Sequence, residues 1–152
     1  MVELVPYAPE HSAAAMRLAR KMHEEATALR SLPFDEAKLT KLFNTSISAP
    51  AAVYFVLSLQ AGVAFGLLLG LLYQPYYSSA LVAGDLAVYV EPEHRGGSTV
   101  VRLIKDFEKW GQSHGAARIT LGQSTGVFME RTTQLYERLG YKTVGQNTVK
   151  EF

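Results

Sequence analysis

The amino-acid sequence predicts an α/β domain in which one mixed β-sheet carries helices on both faces. Three observations lead to this fold class: β-rich and helical segments alternate, an apolar hairpin occupies the middle of the chain, and two strand–helix–strand crossovers follow it. A hairpin produces antiparallel neighbours and a crossover produces parallel ones, so a chain with both builds a mixed sheet. The 152 residues suit one domain spanning residues 1–152.

The first half of the chain supplies a strand, two helices and the hairpin. Val2–Tyr7 is rich in β-formers and predicts the first strand. Ser12 and Asp35 are residue types that cap helix N-termini, and each precedes apolar residues at helical spacing, which predicts two helices. The first of these helices should end near Leu29. Two apolar segments on either side of a Gly-containing turn predict the hairpin: Ala52–Leu59 and Val63–Tyr73.

The second half alternates strands and helices. Its predicted elements are the strand Leu81–Val90, a helix from Gly96-Gly97 to about Ser113, the strand Arg118–Leu121, a helix near Phe128–Leu139 and the strand Tyr141–Val149. The complete order is therefore β-α-α-β-β-β-α-β-α-β.

Composition argues against several classes of function. Fifteen basic and fourteen acidic residues give a net charge of +1, unlike a dedicated nucleic-acid binder. Without cysteine the chain has no disulfide, Cys-ligated metal or Cys nucleophile, and its four histidines show no metal-ligand spacing. The apolar segment Ala61–Tyr73 is shorter than the roughly 20 residues that span a bilayer, and no signal-peptide pattern is visible. We expect no metal, no nucleic-acid or membrane partner, and a cytoplasmic location.

The segment Val88–Val101 carries the strongest indication of chemistry. Its strand ends at Pro92, then Arg95 and two glycines follow, and an amphipathic helix begins at once. Glycine lets a backbone approach a ligand closely, and the first turn of a helix offers N–H groups that bind phosphate. The spacing fits neither a Walker A loop nor G-x-G-x-x-G. By itself the segment leaves an anion site and a plain Gly-rich helix start equally open.

A second segment, Leu135–Tyr141 (LYERLGY), identifies a family when it is combined with the order of elements. The chain resembles the GCN5-related N-acetyltransferase (GNAT) family over essentially its whole length. The run that starts at Arg95 is similar to the family's pyrophosphate motif Q/R-x-x-G-x-G/A, and LYERLGY is similar to its L-Y-x-x-x-G-F/Y motif. Gly62 and Gly66 match its hairpin pattern. The RGGS run and the MHEE string at Met22–Glu25 resemble phage-encoded members.

The resemblance implies a fold, two substrates and a set of contacts. The fold is a single-domain, mostly antiparallel sheet flanked by helices on both faces. Acetyl-CoA is the implied donor cosubstrate, and a primary amine on a small molecule or peptide is the implied acceptor. Tyr136 matches the family's general acid, although from the residues alone a core tyrosine is also open. The implied cofactor contacts are Val88, Tyr89, Val90, Arg95, Gly96, Gly97, Ser98, Thr99, Val100, Met129 and Tyr136.

Three residues depart from the family's pattern. Ser98 and Val100 stand where the pyrophosphate motif has glycine or alanine, and Met129 stands where many members have asparagine. These departures keep open a non-catalytic CoA-binding or protein-interaction module on the same fold. A nucleotide-binding regulator is a third reading, but it lacks the lysine and the acidic metal ligands of triphosphate chemistry.

Candidates for the acceptor side each have two readings. Asp85 is either the base that deprotonates the amine or a strand-edge residue. Glu24 and Glu25 face either the acceptor cleft or solvent. Gln123 and Ser124, after a predicted strand, are candidates for ordering a water molecule. A cluster of tyrosines is either an acceptor-site wall with cation–π contacts or a loop or oligomer contact: Tyr73, Tyr76 and Tyr77.

The oligomeric state stays open in the sequence. The apolar run near Leu67–Leu72 and the predicted last strand are candidate surfaces for a homodimer.

Overall fold

In the computed structural model, which describes residues 1–123 and 125–152, five strands form one sheet in the order β1–β2–β3–β4–β5. Neighbouring strands are antiparallel except β4 and β5, which run parallel. This mixed sheet and its helices confirm the predicted fold class. The elements are β1 Val2–Pro6, α1 Ser12–Glu25, α2 Glu36–Ser48, β2 Val53–Gln60, β3 Val63–Tyr73, β4 Leu81–Val90, α3 Thr99–Ser113, β5 Ala116–Thr120 and α4 Met129–Arg138.

Two apolar cores lie on opposite faces of the sheet because successive strand residues point to opposite sides. On one face α1 and α2 cover alternate residues of the central strands, with Leu18 and Phe43 buried. On the other face α3 and α4 cover the intervening residues, with Leu103, Phe107 and Tyr136 buried. In the described part of the chain no helix is both long enough and apolar enough to cross a membrane.

The sequence predicts N-cap residues for two helices, and the structure confirms one of them. The prediction for Asp35 is confirmed: its carboxylate accepts a hydrogen bond from the backbone N–H of Lys38 at 3.0 Å. The prediction for Ser12 is wrong, because a 3₁₀ turn at Pro9–His11 leads directly into α1 and Ser12 is already helical. Helix α1 ends at Glu25 rather than near Leu29, since the backbone of the buried Ala26 is extended.

The predicted last strand, Tyr141–Val149, is wrong. Residues 141–152 have no helix or strand, and Val144 and Val149 are 94% and 71% exposed. The apolar residues of this segment fall on both faces of any strand it could form, so neither face has a continuous surface to bury.

A bulge in β4 separates the two strands at the centre of the molecule. Gly70 pairs with Asp85 and Leu69 pairs with Ala87, so Leu86 is an extra residue in β4. The ladder between β4 and β5 begins at Leu81 and ends at the pair Gly84 and Thr120. Beyond that pair the second half of β4 bonds only to β3, and its other edge is open.

Candidate functional site

The open edge of β4 forms one wall of a cleft of about 940 Å³. The start of α3 and one side of α4 form the other walls. Residues that represent the three walls are Val88, Val90, Gly96, Gly97, Leu135 and Tyr136.

Main-chain groups of β4 point into this cleft. The N–H of Glu91 donates to the carbonyl of Phe65 on β3 at 2.8 Å, so the Val90 carbonyl in the same peptide points away from β3. Because peptide orientation repeats every second residue, the N–H and C=O of Val88 also face the cleft. The strand therefore presents an edge with no neighbouring strand among the described residues, to which an extended ligand with amide groups can bond.

The turn before α3 leaves space for a ligand beside its backbone. Gly96 has φ +87°, a left-handed conformation that favours glycine, and a Cβ at Gly96 or Gly97 would meet no atom within 4 Å. Ser98 is the N-cap residue but its side chain makes no cap hydrogen bond in the described residues. Thr99 begins the helix and is buried, while Val100 lines the cleft. The first N–H groups of α3 and the open turn together suit an anion.

Arg95 is held by three acceptors. Its guanidinium donates to both carboxylate oxygens of Glu25, at 2.6 and 2.8 Å, and its Nε donates to the Val90 carbonyl at 2.7 Å. The hydrogen bond from Arg95 holds the pKa of Glu25 below its usual range, while Glu25 raises the pKa of Arg95. Glu25, predicted on the acceptor side, thus lies in the larger cleft next to Arg95, whereas Glu24 is exposed. Tyr89 donates to the same carboxylate at 3.2 Å.

A smaller cavity of about 110 Å³ lies beside Asp85. Asp85 Oδ1 accepts a hydrogen bond from the backbone N–H of Gly122 at 2.7 Å, and burial raises the pKa of Asp85 to about 6. A carboxylate with such a pKa can accept a proton near neutral pH.

Tyr136 lies where the two cavities meet. It lines both, is 8% exposed, and its hydroxyl donates a long hydrogen bond of 3.4 Å to the Gly122 carbonyl. Burial raises the pKa of Tyr136, and the nearby charge of Asp85 raises it further. The phenol therefore holds its proton at neutral pH.

Other predicted residues occupy more peripheral positions. Met129 is the first residue of α4, and both Met129 and Gln123 line the smaller cavity. The Gln123 amide oxygen accepts a hydrogen bond from the Thr133 hydroxyl at 3.0 Å. Ser124 lies outside the described residues.

Tyr73 and Tyr77 do not line either cavity. They are 42% and 66% exposed, and Tyr76 and Tyr77 contact each other edge to face. Tyr73 is the last residue of β3 and pairs with Val82, and its ring lies beside Gly84, where a Cβ would lie 3.1 Å from Tyr73 Cε1. Tyr76 and Tyr77 lie in the loop between β3 and β4. Tyr73 is therefore adjacent to the strand segment that carries Asp85, although it lines neither cavity, and the acceptor-side role of the tyrosines stays a prediction.

The sequence reasoning missed several lining residues. Met22 of α1 and Thr132 of α4 line both cavities, and Arg131 and Arg138 add two cations to the larger cleft. Thr132, Leu135 and Tyr136 share one face of α4 at helical spacing, a signal that was available in the sequence. Met22 had no comparable local signal, since α1 reaches the site only through the packing of the sheet.

A contact between two loops closes the site on one side. The backbone N–H of Ala28, after α1, donates to the Thr125 carbonyl, before α4, at 3.0 Å. Thr125 lines both cavities, so this bridge lies at their junction. Within residues 1–123 and 125–152, no group of three or more His, Asp or Glu side chains is arranged to hold a metal ion.

Comparisons with solved structures show the same fold. The aminoglycoside acetyltransferase AAC(6')-Iy with a bisubstrate analogue has a TM-score of 0.78 at 16% identity, covering 100% of this chain and 98% of that chain. The ribosomal-protein-alanine N-acetyltransferase of Brucella melitensis has 0.75 at 14%, covering 100% and 99%. The glucosamine-6-phosphate N-acetyltransferase of Arabidopsis thaliana has 0.75 at 11%, also covering 100% and 99%. Such identities show the fold alone.

The family itself is shown by the sequence. No curated protein sequence matches the chain. Residues 15–141, however, match the model of the acetyltransferase (GNAT) family, and that range contains most of α1, the open edge of β4, the turn before α3 and all of α4. The chain belongs to the GNAT family of acetyltransferases.

Proposed function

We propose that the protein transfers the acetyl group of acetyl-CoA to a primary amine by direct attack of the amine on the thioester. The observation that carries this proposal is the continuity of the site: the open edge of β4 leads from the turn before α3 to Tyr136 and Asp85. An amide-containing arm with a phosphate group at one end and a reactive carbonyl at the other fits such a path.

The turn before α3 suits the diphosphate of CoA. Gly96 and Gly97 leave room for phosphate oxygens, and the uncapped N–H groups up to Val100 supply hydrogen bonds and a partial positive charge. Ser98 adds a hydroxyl where relatives have glycine, so we assign it a contact rather than a clash. Arg131 and Arg138 add positive charge on the opposite wall.

One main-chain group and two side chains then carry out the separate chemical steps. Val88 offers a backbone N–H that polarises the thioester carbonyl and stabilises the oxyanion formed by attack. Asp85 accepts a proton from the ammonium form of the amine before attack, and the second proton that the nitrogen loses as the C–N bond forms passes to solvent. Tyr136 donates its proton to sulfur as the C–S bond breaks, which yields an acetamide and free CoA. Solvent exchange then returns a proton to Tyr136 and removes one from Asp85.

The acceptor is proposed by class. Relatives of this fold are named for acetylating aminoglycosides, a ribosomal protein and glucosamine 6-phosphate, all of which present an amine. Gln123 lines the cavity beside Asp85 and is our proposed acceptor contact there. The small volume of that cavity favours a slender amino group at the reacting end, whether its carrier is a small molecule or a peptide.

One observation favours a second candidate, a non-catalytic CoA-binding module. The Val90 carbonyl, one of the acceptors at the open edge, is already bonded to Arg95 Nε. A cofactor arm that paired with Val88 alone would be held less firmly for reaction.

Two assays distinguish these candidates. Thermal unfolding should show stabilisation by acetyl-CoA and CoA, about 2.7 kcal/mol at 100 times the dissociation constant. Thiol release should then be measured with an aminoglycoside, glucosamine 6-phosphate and a peptide with N-terminal alanine as acceptors. Release that depends on one amine supports the transferase. Stabilisation by CoA with no release for any amine favours the binding module, and stabilisation by ATP but not by CoA contradicts both.

A further inference from the structure

The two parallel strands β4 and β5 part at a hydrogen bond made by a side chain. Their ladder ends at Gly84 and Thr120, and two residues later the N–H of Gly122 donates to Asp85 Oδ1 at 2.7 Å. The carboxylate thus accepts a main-chain donor at the point where backbone acceptors of β4 are no longer in reach. It ends the ladder and also fixes how far the strands separate.

The bulge in β4 makes this bond possible. Leu86 is the extra residue, and it is 48% exposed. A bulge re-aims the neighbouring side chains and increases the local twist. Asp85 immediately precedes the bulge, so its carboxylate is directed along the sheet edge toward the strand that diverges.

Gly122 is held on both sides. Its N–H is bonded to Asp85, and its carbonyl accepts the hydrogen bond of the Tyr136 hydroxyl at 3.4 Å. A movement of Gly122 would displace the acceptor that orients the phenol. The geometry therefore links Asp85 to Tyr136 through one backbone residue.

We propose that Asp85 is a positioning residue, whose Oδ1 fixes Gly122 where the two cavities meet and, through the Gly122 carbonyl, sets the orientation of the Tyr136 hydroxyl. This inference rests on the proposed function, because it assigns Tyr136 the role of general acid. It is separate from the role of Asp85 as a base. A carboxyl group can accept the Gly122 N–H at Oδ1 whether or not its other oxygen carries a proton.

Substitutions of Asp85 separate the two roles. Asp85→Asn keeps an oxygen that can accept the Gly122 N–H but cannot act as a base, whereas Asp85→Ala removes both functions. Asp85→Val is a second variant without an acceptor and with a side chain that favours a strand, in case the alanine protein does not fold. Glu137→Gln, an exposed carboxylate on α4, controls for loss of negative charge.

The first measurement needs no activity. Hydrogen exchange of the Gly122 amide should be similar in wild type and Asp85→Asn and about ten-fold or more faster in Asp85→Ala or Asp85→Val, because the latter two lack the acceptor. Equal protection in Asp85→Ala and wild type would overturn the proposal. This readout stays meaningful even if the protein transfers no acetyl group.

The second measurement is kcat at high pH, where the amine is already deprotonated. Asp85→Asn should approach the wild-type rate there, while Asp85→Ala should stay about ten-fold lower, as expected when an oriented group loses its geometry. In a Tyr136→Phe background the alanine penalty should disappear, since the acid that Asp85 positions is gone. Tyr141 is the other titratable group near Asp85 and Tyr136, and its hydrogen bond to Glu108 involves none of the residues that these variants change. Equal rates for the Asn and Ala variants at high pH, or an unchanged penalty in the Phe background, would contradict the proposal. Absence of thiol release in wild type would instead refute the proposed function.

Discussion

Arg95 and Glu25, 70 residues apart in the chain, form a two-hydrogen-bond ion pair beside the larger cleft. The sequence assigns Arg95 to the diphosphate and Glu25 to the acceptor. The structure instead joins them, so the cleft proposed for an anionic cofactor contains a carboxylate whose charge the guanidinium offsets. The pair also connects the end of α1 to the turn before α3, and it directs Arg95 Nε to the Val90 carbonyl.

Removal of this carboxylate should improve cofactor binding. We expect Glu25→Gln to lower the dissociation constant of acetyl-CoA by about three- to ten-fold, because a negative charge leaves the cleft and Arg95 becomes available to phosphate. Isothermal titration at fixed ionic strength measures the effect, with Glu10→Gln as a control for net charge at an exposed site. Weaker binding by Glu25→Gln would show that the pair organises the site rather than competing with the ligand.

The two glycines before α3 should respond differently to alanine. Gly96→Ala should destabilise the free protein by about 1 kcal/mol, because Gly96 has a positive φ and alanine does not favour it. Gly97→Ala should leave stability nearly unchanged, since its Cβ meets no neighbouring atom. Both should weaken acetyl-CoA binding, as each Cβ occupies space next to the backbone donors. Denaturant unfolding and titration give the two quantities; normal affinity in Gly97→Ala would place the diphosphate elsewhere.

Tyr136→Phe tests the acid role. Without the hydroxyl the leaving thiolate is not protonated, so kcat should fall about 10²-fold. The dissociation constant of acetyl-CoA should change by less than about two-fold, since the ring keeps its packing. Tyr141→Phe is the matched control, because its hydroxyl bonds to Glu108 and it lines neither cavity. A rate for Tyr136→Phe close to that of the control would remove Tyr136 from the acid role.

The raised pKa of Asp85 has a consequence for stability. Burial raises it to about 6, so the native state binds this proton more tightly than the unfolded chain does. Its contribution to stability is therefore full at pH values below about 4 and is lost as pH rises through about 6. The melting temperature of Asp85→Asn relative to wild type should thus be higher at pH 8 than at pH 4. A difference that does not vary with pH would show that Asp85 has an ordinary pKa.

Ser58 offers a test of the core away from the site. Its hydroxyl is fully buried in β2 and has no hydrogen-bond partner among the described residues. Replacing an unpaired buried hydroxyl removes its desolvation cost, so Ser58→Ala should stabilise the protein by about 1 kcal/mol. Guanidinium unfolding measures this change. Destabilisation would indicate that the hydroxyl has a partner in solution.

The sequence could predict features that depend on neighbouring residues. The Asp35 cap, the hairpin of β2 and β3 and the glycine turn before α3 all follow from local chemistry, and the structure contains each of them. The prediction of a last strand was wrong because residues 141–149 have no neighbouring strand with which to pair in the part of the chain that the structure describes. The acceptor role of the tyrosines stays a prediction: Tyr73 at the end of β3 lies beside Gly84, while Tyr76 and Tyr77 lie in the loop that follows, and none of the three lines either cavity.

The long-range pairs at the site had no local signal. Asp85 with Gly122 and Arg95 with Glu25 meet only because the bulge in β4 opens the sheet and the end of α1 packs beside it. Local sequence patterns can identify each of these residues as a candidate site residue. They cannot predict which residues contact each other, because the contacts depend on the separation of β4 and β5.

The crystal structure of the protein with CoA would test the central claim most directly. We expect the diphosphate within hydrogen-bond distance of the backbone N–H groups between Gly96 and Val100, the pantetheine amides along Val88 and Val90, and the sulfur next to Tyr136. CoA bound at any other surface, or a turn before α3 that stays empty at saturating CoA, would contradict the account.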